Sequence, residues 1–398
     1  VHYLDHAATT PLRDEAAREW LRAAAVVGNA SSTHGAGQRA RRLLEESRER
    51  LAAVLDAEPI EVVFTSGGTE SVNLALQGLW RARSEPTTAV VIPDGEHHAT
   101  LDTVAALAGE GAGMVSVPLD SHGRIDAAVF EDAVANPATA LATALVANNE
   151  VGTVNDAARL ARAAAGAGVP LHLDAVSALG HLPVRFGALR GDAPVGAGLV
   201  AMSLAGHKIG APAGTGALVV SRTARMTAIL HGGGQQRGLR AGTQDVAGAA
   251  ALALAAELAE CERIEESRRL GELRDELVRG ILAAVPDAEL LGDPDPGGRL
   301  PGNAHLLFPG APSESMLFLL DQSGISASAG SACQAGVAEP SHVVQALGRS
   351  EAEARCVIRF TLGRTSGSED VLAVLSLIGD VYARASGGTL GARPAERS

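Results

Sequence analysis

The feature that most restricts the fold is a recurrence: short apolar runs that each stop at polar residues, with helix-length segments between them. The run AVVIP from Ala89 is followed by Glu96, His97 and His98. Residues 140–146 lead to Asn148, Asn149 and Glu150, and residues 170–173 lead to Asp174 and Ser177. Buried strands alternating with helical segments build a mostly parallel sheet. Packing alone asks for no histidine, asparagine or aspartate at a strand terminus, although each can cap a following helix. In open α/β sheets ligands collect at the carboxyl edge. The recurrence therefore predicts an α/β fold whose polar strand ends share one site.

At 398 residues the chain exceeds a single small core, so two domains are expected. A hydrophobic fraction of 46% and a charged fraction of 20% are those of a globular protein. No run of about 18 apolar residues occurs, and the start lacks a basic region followed by an apolar one. A cytoplasmic protein with no signal peptide and no membrane span is expected. The net charge of -13 repels phosphates, which argues against direct nucleic acid binding. Arg39, Arg41, Arg42, Arg48 and Arg50 alternate with Glu45, Glu46 and Glu49, as on a solvated helix face with i,i+4 pairs. Cys261, Cys333 and Cys356 show no zinc spacing and are odd in number. No metal site is expected, and a reducing compartment is.

In chain order, a helix is expected to begin near Pro11, with Asp14 and Glu15 at its positive end. Residues 28–37 read as a polar loop, with His34 either touching a substrate or simply exposed, before a helix over 38–56. A strand from Glu61 runs into Ser66, Gly67, Gly68 and Thr69 and a helix over 69–82. Strand, glycine turn and helix start point backbone N–H groups at one place, where they can hold a phosphate or merely cap a helix. It is neither a Walker loop nor a dinucleotide fingerprint. Residues 231–245 form a glycine-rich loop suited to an anion or a subunit contact, and 246–284 supply one or two long helices. Residues 286–303 read as a surface connection. A strand from 304, helices over 313–323 and 340–347, a loop holding Cys333, a strand over 356–360 and a last helix over 368–384 follow. The tail after Gly387 is expected to be disordered.

The segment 204–217 (LAGHKIGAPAGTGA) places Lys208 in a small, apolar, glycine-rich run. Such a segment suits a plain turn. It also suits catalysis, because desolvation lowers a lysine's pKa and a neutral amine forms a Schiff base with an aldehyde. A Schiff-base lysine, an aspartate at one strand end, a histidine at another and a phosphate cradle together describe a pyridoxal phosphate site. Asp174 would pair with the ring nitrogen, His97 would stack on the ring and shuttle protons, and Thr69, with the Gly67-Gly68 turn and His207, would hold the phosphate.

On these residues the chain resembles the class V aminotransferase-type pyridoxal phosphate enzymes, and more narrowly the cysteine desulfurases of iron-sulfur assembly. The resemblance runs from residues 3–11 (YLDHAATTP) to 358–364 (IRFTLGR). It includes 65–71 (TSGGTES), Glu96-His97, 148–152 (NNEVG), 206–208 (GHK), 231–235 (HGGGQ), 240–243 (RAGT) and 330–333 (GSAC). It implies a fold-type I architecture, with a mostly parallel seven-stranded sheet in a large domain and a smaller α+β domain. The expected bounds are 13–260 for the large domain and 1–12 with 261–390 for the small one, with 391–398 as tail.

The resemblance also implies roles. Lys208 holds pyridoxal 5'-phosphate covalently, Asp174 faces the ring nitrogen, and Asn149 and Arg359 bind the substrate carboxylate, arginine offering a planar fork. Thr243 reaches the phosphate of the other subunit in a homodimer. Cys333 attacks the sulfur of L-cysteine, releases L-alanine and keeps a persulfide for a sulfur-acceptor protein, a scaffold or carrier. Cys261 and Cys356 are read as packing residues. Two positions depart from the family: Ser177 stands where glutamine is usual and Ala205 where serine is frequent. Each removes or shortens a cofactor contact typically worth about 0.5–1.5 kcal/mol. Another carbon-sulfur or carbon-selenium lyase, or a transaminating relative, is the alternative in this fold, and a scaffold without cofactor is the alternative outside it.

Overall fold

The structure is a computed structural model and describes residues 1–84, 86–330 and 339–387. After β1 (His2–Tyr3), the chain builds its central sheet from β2 (Val62–Thr65), β3 (Ala89–Pro93), β4 (Gly113–Val117) and β5 (Thr139–Leu145). β6 (Pro170–Asp174), β7 (Gly198–Ala205) and β8 (Gly216–Val220) complete it. The spatial order is β2-β8-β7-β6-β5-β3-β4. All pairs from β7 to β4 are parallel, and β8 runs antiparallel to both β7 and β2. This is the expected mostly parallel sheet of seven strands, and it brings the carboxyl ends of β2, β3, β5, β6 and β7 to one edge.

Helices α1 (Asp14–Ala24), α2 (Gly35–Leu55), α3 (Gly68–Arg81), α4 (His98–Ala108), α5 (Ala127–Ala135), α6 (Ala157–Ala167), α7 (Phe186–Arg190) and α8 (Val246–Ala284) surround it. Alternate strand residues point to opposite faces. Val63, Leu218 and Val220 join Leu74 and Trp80 of α3 and Val104 of α4 in one core. Val62, Phe64, Ala217 and Val219 join Leu51, Leu160 and Leu252 of α2, α6 and α8 in the other. Each buried Leu, Val or Phe contributes about 1.5–3 kcal/mol. A one-residue slip would exchange the two faces, so both cores fix the register.

A second body is built from β9 (Glu289–Leu290), β10 (Asn303–Leu307) and β12 (Val357–Thr361), an antiparallel sheet in the order β12-β10-β9, while β11 (Ile325–Ser326) pairs with β1. Helices α9 (Ser313–Gln322), α10 (His342–Ala346), α11 (Glu351–Ala354), α12 (Ser368–Leu375) and α13 (Ile378–Ala385) complete it. Leu4, Leu306, Phe308, Phe360 and Val371 share its core with Leu277 and Ile281 of α8. Helix α8 is a single element of 39 residues, unbroken at 260, whose first half packs in the central core and whose second half packs here. Among the described residues no helix is long and apolar enough to cross a membrane.

Several expectations are corrected. The first helix begins at Asp14, not Pro11, because Arg13 N–H donates to Gly210 O at 2.9 Å and stays extended across the Lys208 segment. Helix α2 starts at Gly35, where His34 caps it by accepting the Gly37 N–H at Nδ1 (3.2 Å). Its arginines are not all solvated: Arg48 is buried, donates to Val62 O and to Gln236 Oε1 (2.8 Å), and pairs with Glu45 at i,i+3. Segment 286–303 is no surface link, since Leu291, Asp293 and Arg299 are buried. The last helix is two, interrupted at 376–377.

Candidate active site

The carboxyl edge of the sheet opens into a cleft of about 380 Å³. Gly68, Thr69, His97, Asn149, Asp174, Ser177, His207, Lys208 and Arg359 all line it, so nine residues singled out from the sequence converge there.

Asp174 ends β6 and is 3% exposed. Its Oδ1 accepts the Val176 N–H at 2.8 Å, and burial pushes its carboxyl up to about 6 while Lys208 opposes the shift. Lys208 ends the single 3-10 turn that follows β7. Its Nζ donates to the carbonyls of Ala7 and Ala8, the latter at 3.0 Å. Burial, reinforced by Arg359, brings its pKa down to about 8, against the pull of Asp5 and Asp174. His97 caps α4, its Nδ1 accepting the Ala99 N–H at 3.0 Å, which places the proton of the neutral ring on Nε2. Burial and then Lys208 hold its pKa near 4, so it is neutral at neutral pH. His207, likewise lowered to about 4 by burial, meets Thr9 Oγ1 at 3.3 Å.

At the start of α3, Gly67 has φ 154° and ψ -178°, a conformation natural to glycine. A Cβ at Gly68 would meet Val176 Cγ2 at 2.8 Å and Ala205 Cβ at 3.3 Å, so glycine is required for the helix to approach the sheet. The first backbone bond of α3 runs from Ser71 N–H to Gly67 O; by helix geometry the N–H groups of Gly68 and Thr69 have no intrahelical acceptor and face the cleft.

Arg359, on β12 and 4% exposed, donates to Asn149 O at 2.8 Å and to Asp5 Oδ1 at 2.9 Å, while its Nε is buried without a partner. Asn148 shapes the turn that presents Asn149, accepting the N–H groups of Glu150 and Val151 at Oδ1.

Thr243 is exposed and does not line the cleft of its own chain. Cys333 lies outside the described residues, as does 388–398. The residues flanking Cys333 are tied to the site: Gly330 lines the cleft, Ser341 Oγ donates to Glu150 Oε2 at 2.6 Å, and His342 Nε2 donates to Glu96 O at 2.9 Å. Cys261 is exposed and Cys356 is partly buried, which raises its thiol pKa.

Sequence reasoning assigned no role to Asp5, Ala7 or Ala8, which brace Arg359 and Lys208. It also passed over Glu96 as a buried acid. Its Oε1 accepts the Leu145 N–H at 2.8 Å, and burial pushes its carboxyl up to about 8. The signal for Asp5, Ala7 and Ala8 was the match of residues 3–11 to a family segment, and that for Glu96 its place beside His97 at a strand end; Ala7 and Ala8 act through carbonyls that every residue possesses.

The residues present fit pyridoxal phosphate. A buried carboxylate with a single backbone donor awaits a cation, a lysine is held near neutrality, and helix N–H groups face the same cleft. Fold and site together define a fold-type I pyridoxal phosphate enzyme. The family model described as aminotransferase class-V matches residues 2–374, and the chain belongs to that family. It is 46% identical over 400 residues to an IscS-like cysteine desulfurase of Mycobacterium tuberculosis, covering 99% of this chain and 100% of the relative. A solved NifS-like protein superposes with a TM-score of 0.87 at 29% identity, covering 96% of this chain and 99% of that one. A solved SspA in complex with cysteine superposes with a TM-score of 0.77 at 29% identity, covering 91% and 99%.

Proposed function

We propose that the chain is a cysteine desulfurase that takes sulfur from L-cysteine, leaving L-alanine, with pyridoxal 5'-phosphate as cofactor. The observation that carries this reading is the meeting of Lys208, Asp174, His97, Thr69 and Arg359 in one cleft. The activity in the name of the Mycobacterium tuberculosis relative and the cysteine bound to SspA support it.

When bound, the cofactor supplies an electron sink conjugated to the substrate's α-carbon. Lys208 would anchor it covalently and would serve as a base, since burial keeps much of its amine neutral close to pH 8. Asp174 would keep a proton on the ring nitrogen. His97 would lie against the ring and offer its Nε2 proton. Thr69, the Gly68 N–H and His207 would hold the phosphate, and Ser177 would stand in the place of a contact to the ring oxygen. Asn149 and the Arg359 fork would orient the substrate carboxylate, with Asp5 bonded to the guanidinium.

Cys333 takes the substrate sulfur as a persulfide and passes it to an acceptor protein. In a homodimer the exposed Thr243 reaches the phosphate site of the second copy. Residues 13–260 act as the cofactor-binding domain, and 1–12 with 261–390 as the small domain that brings Arg359 and Cys333.

The test is incubation of the purified protein with L-cysteine and a thiol, followed by measurement of alanine and sulfide. Both products are expected, together with visible absorbance from the bound cofactor. No alanine would overturn the reading. Alanine that persists in Cys333→Ala would mark a lyase that uses the lysine but not the cysteine.

A further inference from the structure

Two consecutive residues of the second body, Ser341 and His342, each hold a segment that carries a residue of the cleft. Ser341 Oγ donates to Glu150 Oε2 at 2.6 Å, one position after Asn149. His342 Nε2 donates to Glu96 O at 2.9 Å, one position before His97. Ser341 is also the N-cap of α10, but that role uses its oxygen, which accepts the Val344 N–H at 3.1 Å, and leaves its proton for Glu150. Ser341, Glu150 and Glu96 are buried, so each bond is made where a partner left alone is costly. Neither Ser341 nor His342 lines the cleft itself.

The two holds act on different peptide planes. The carbonyl of Glu96 and the N–H of His97 belong to one rigid planar unit, so the His342 bond fixes the plane from which the His97 side chain departs. The His342 ring is itself steadied by the ring of His98, which it meets edge to face with centroids 5.0 Å apart. On the other arm, the plane between Asn149 and Glu150 is gripped at both ends, its carbonyl by Arg359 Nη1 at 2.8 Å and its N–H by Asn148 Oδ1 at 2.9 Å. The Glu150 carbonyl is bonded to Asn303 Nδ2 at 3.0 Å, and Ser341 supplies the hold on the Glu150 side chain.

We propose that Ser341 and His342 are positioning residues with divided duties, Ser341 setting Asn149 for the substrate carboxylate and His342 setting the His97 ring against the cofactor. The inference rests on the proposed function for what the cleft holds, and adds which residues of the second body aim its two sides. Side chains that merely fastened the second body to the sheet would disturb both sides of the cleft together. These two act through separate planes on separate strand ends, those of β5 and β3. Without the Ser341 proton a buried carboxylate oxygen is one donor short, and the segment that relaxes carries Asn149. Without the His342 proton a neutral carbonyl is one donor short, and the segment that relaxes carries His97. The Ser341 arm is therefore the stronger of the two, because bonds to a carboxylate outweigh those to a neutral carbonyl.

The experiment loads each variant with cofactor and reads it in three ways. These are alanine formation from L-cysteine, binding of L-alanine (a carboxylate without sulfur) by visible absorbance, and visible circular dichroism, which senses the tilt of the bound ring. Ser341→Gly removes the hydroxyl while glycine still serves as an N-cap. It is expected to raise KM and the dissociation constant of L-alanine about tenfold, with kcat and the dichroism unmoved. His342→Phe keeps a ring against His98 and removes the donor; kcat is expected to fall about fivefold and the dichroism to change, with L-alanine binding unmoved. His342→Gln, whose side-chain N–H can donate again, is expected to recover most of that loss. If Ser341→Gly does not fold, Ser341→Ala decides in its place. Parallel losses in kcat and KM in both variants, no change in either, or a His342→Gln no better than His342→Phe would overturn the division of duties. No alanine from L-cysteine in the unaltered protein would overturn the desulfurase reading instead, and the L-alanine titration and dichroism would still decide the division.

Discussion

The two halves of the cleft are made in different ways. On the sheet side the acid and the ring that face the cleft are settled by immediate chain neighbours: Asp174 by the Val176 N–H, and His97 by the Ala99 N–H of the helix it caps. On the other side nothing is local. Arg359 is held by Asp5, 354 positions away, and Lys208 by the carbonyls of Ala7 and Ala8, about 200 positions away. The sheet half is therefore a set of independent pieces, and the half shared with the second body is one interlocked brace. Damage to the brace should spread, whereas damage to a sheet-side piece should stay where it is made.

The comparison breaks first at Lys208, which belongs to both halves. Lys208→Ala should abolish the cofactor's lysine-bound absorbance and lower kcat by about 10²–10⁴-fold or more, measured by alanine formation. In the unmodified protein, reloading of the cofactor-free form should accelerate about tenfold per pH unit up to about pH 8 and then level off. The sign follows from burial lowering the lysine to about 8, so that the neutral amine accumulates as pH rises and saturates above that value.

Arg359→Lys tests the brace alone. Losing charge-assisted bonds worth about 1.5–3 kcal/mol should raise KM for L-cysteine about 10–100-fold with a smaller change in kcat. Asp5→Asn leaves the fork but removes its charged support, and about 3–10-fold in KM is expected. The pH dependence of reloading should move as well, because Asp5 helps keep Lys208 protonated and its loss shifts the levelling point downward. A change in KM with an unmoved reloading profile would show that the brace is not interlocked. The smallest effect belongs to the sheet side. Ala205→Ser, facing Gly68 at the end of β7, should slow cofactor loss by about tenfold or less, through one neutral hydrogen bond, and leave KM for L-cysteine unchanged.

The same contrast explains what was legible in the sequence. Residues at strand ends announce themselves, because a polar side chain after an apolar run has a residue type and a position that packing does not explain; hence Asp174, His97, Thr69 and Lys208 were all readable. The brace was not. Arg359 emerged only through family resemblance, and Asp5 and the two carbonyls act at contacts that no periodicity encodes. Arg48 was misread for a related reason. Its position among glutamates suits a solvated face, but tertiary packing places Val62 O and Gln236 over it. Likewise Pro11 invites a helix start that the Arg13 bond to Gly210 forbids.

Helix α8 adds a mechanical consequence. At 39 residues it is a rod about 58 Å long, and its two halves are embedded in two different cores. Such a rod acts as a spine: the bodies it joins resist swinging apart at that seam, and the gap between them is set by the spine's own stiffness. Severing the chain after 260 would cut through the middle of the rod, so neither piece would inherit an intact helix, and the distance from Arg359 to Lys208 would lose its ruler.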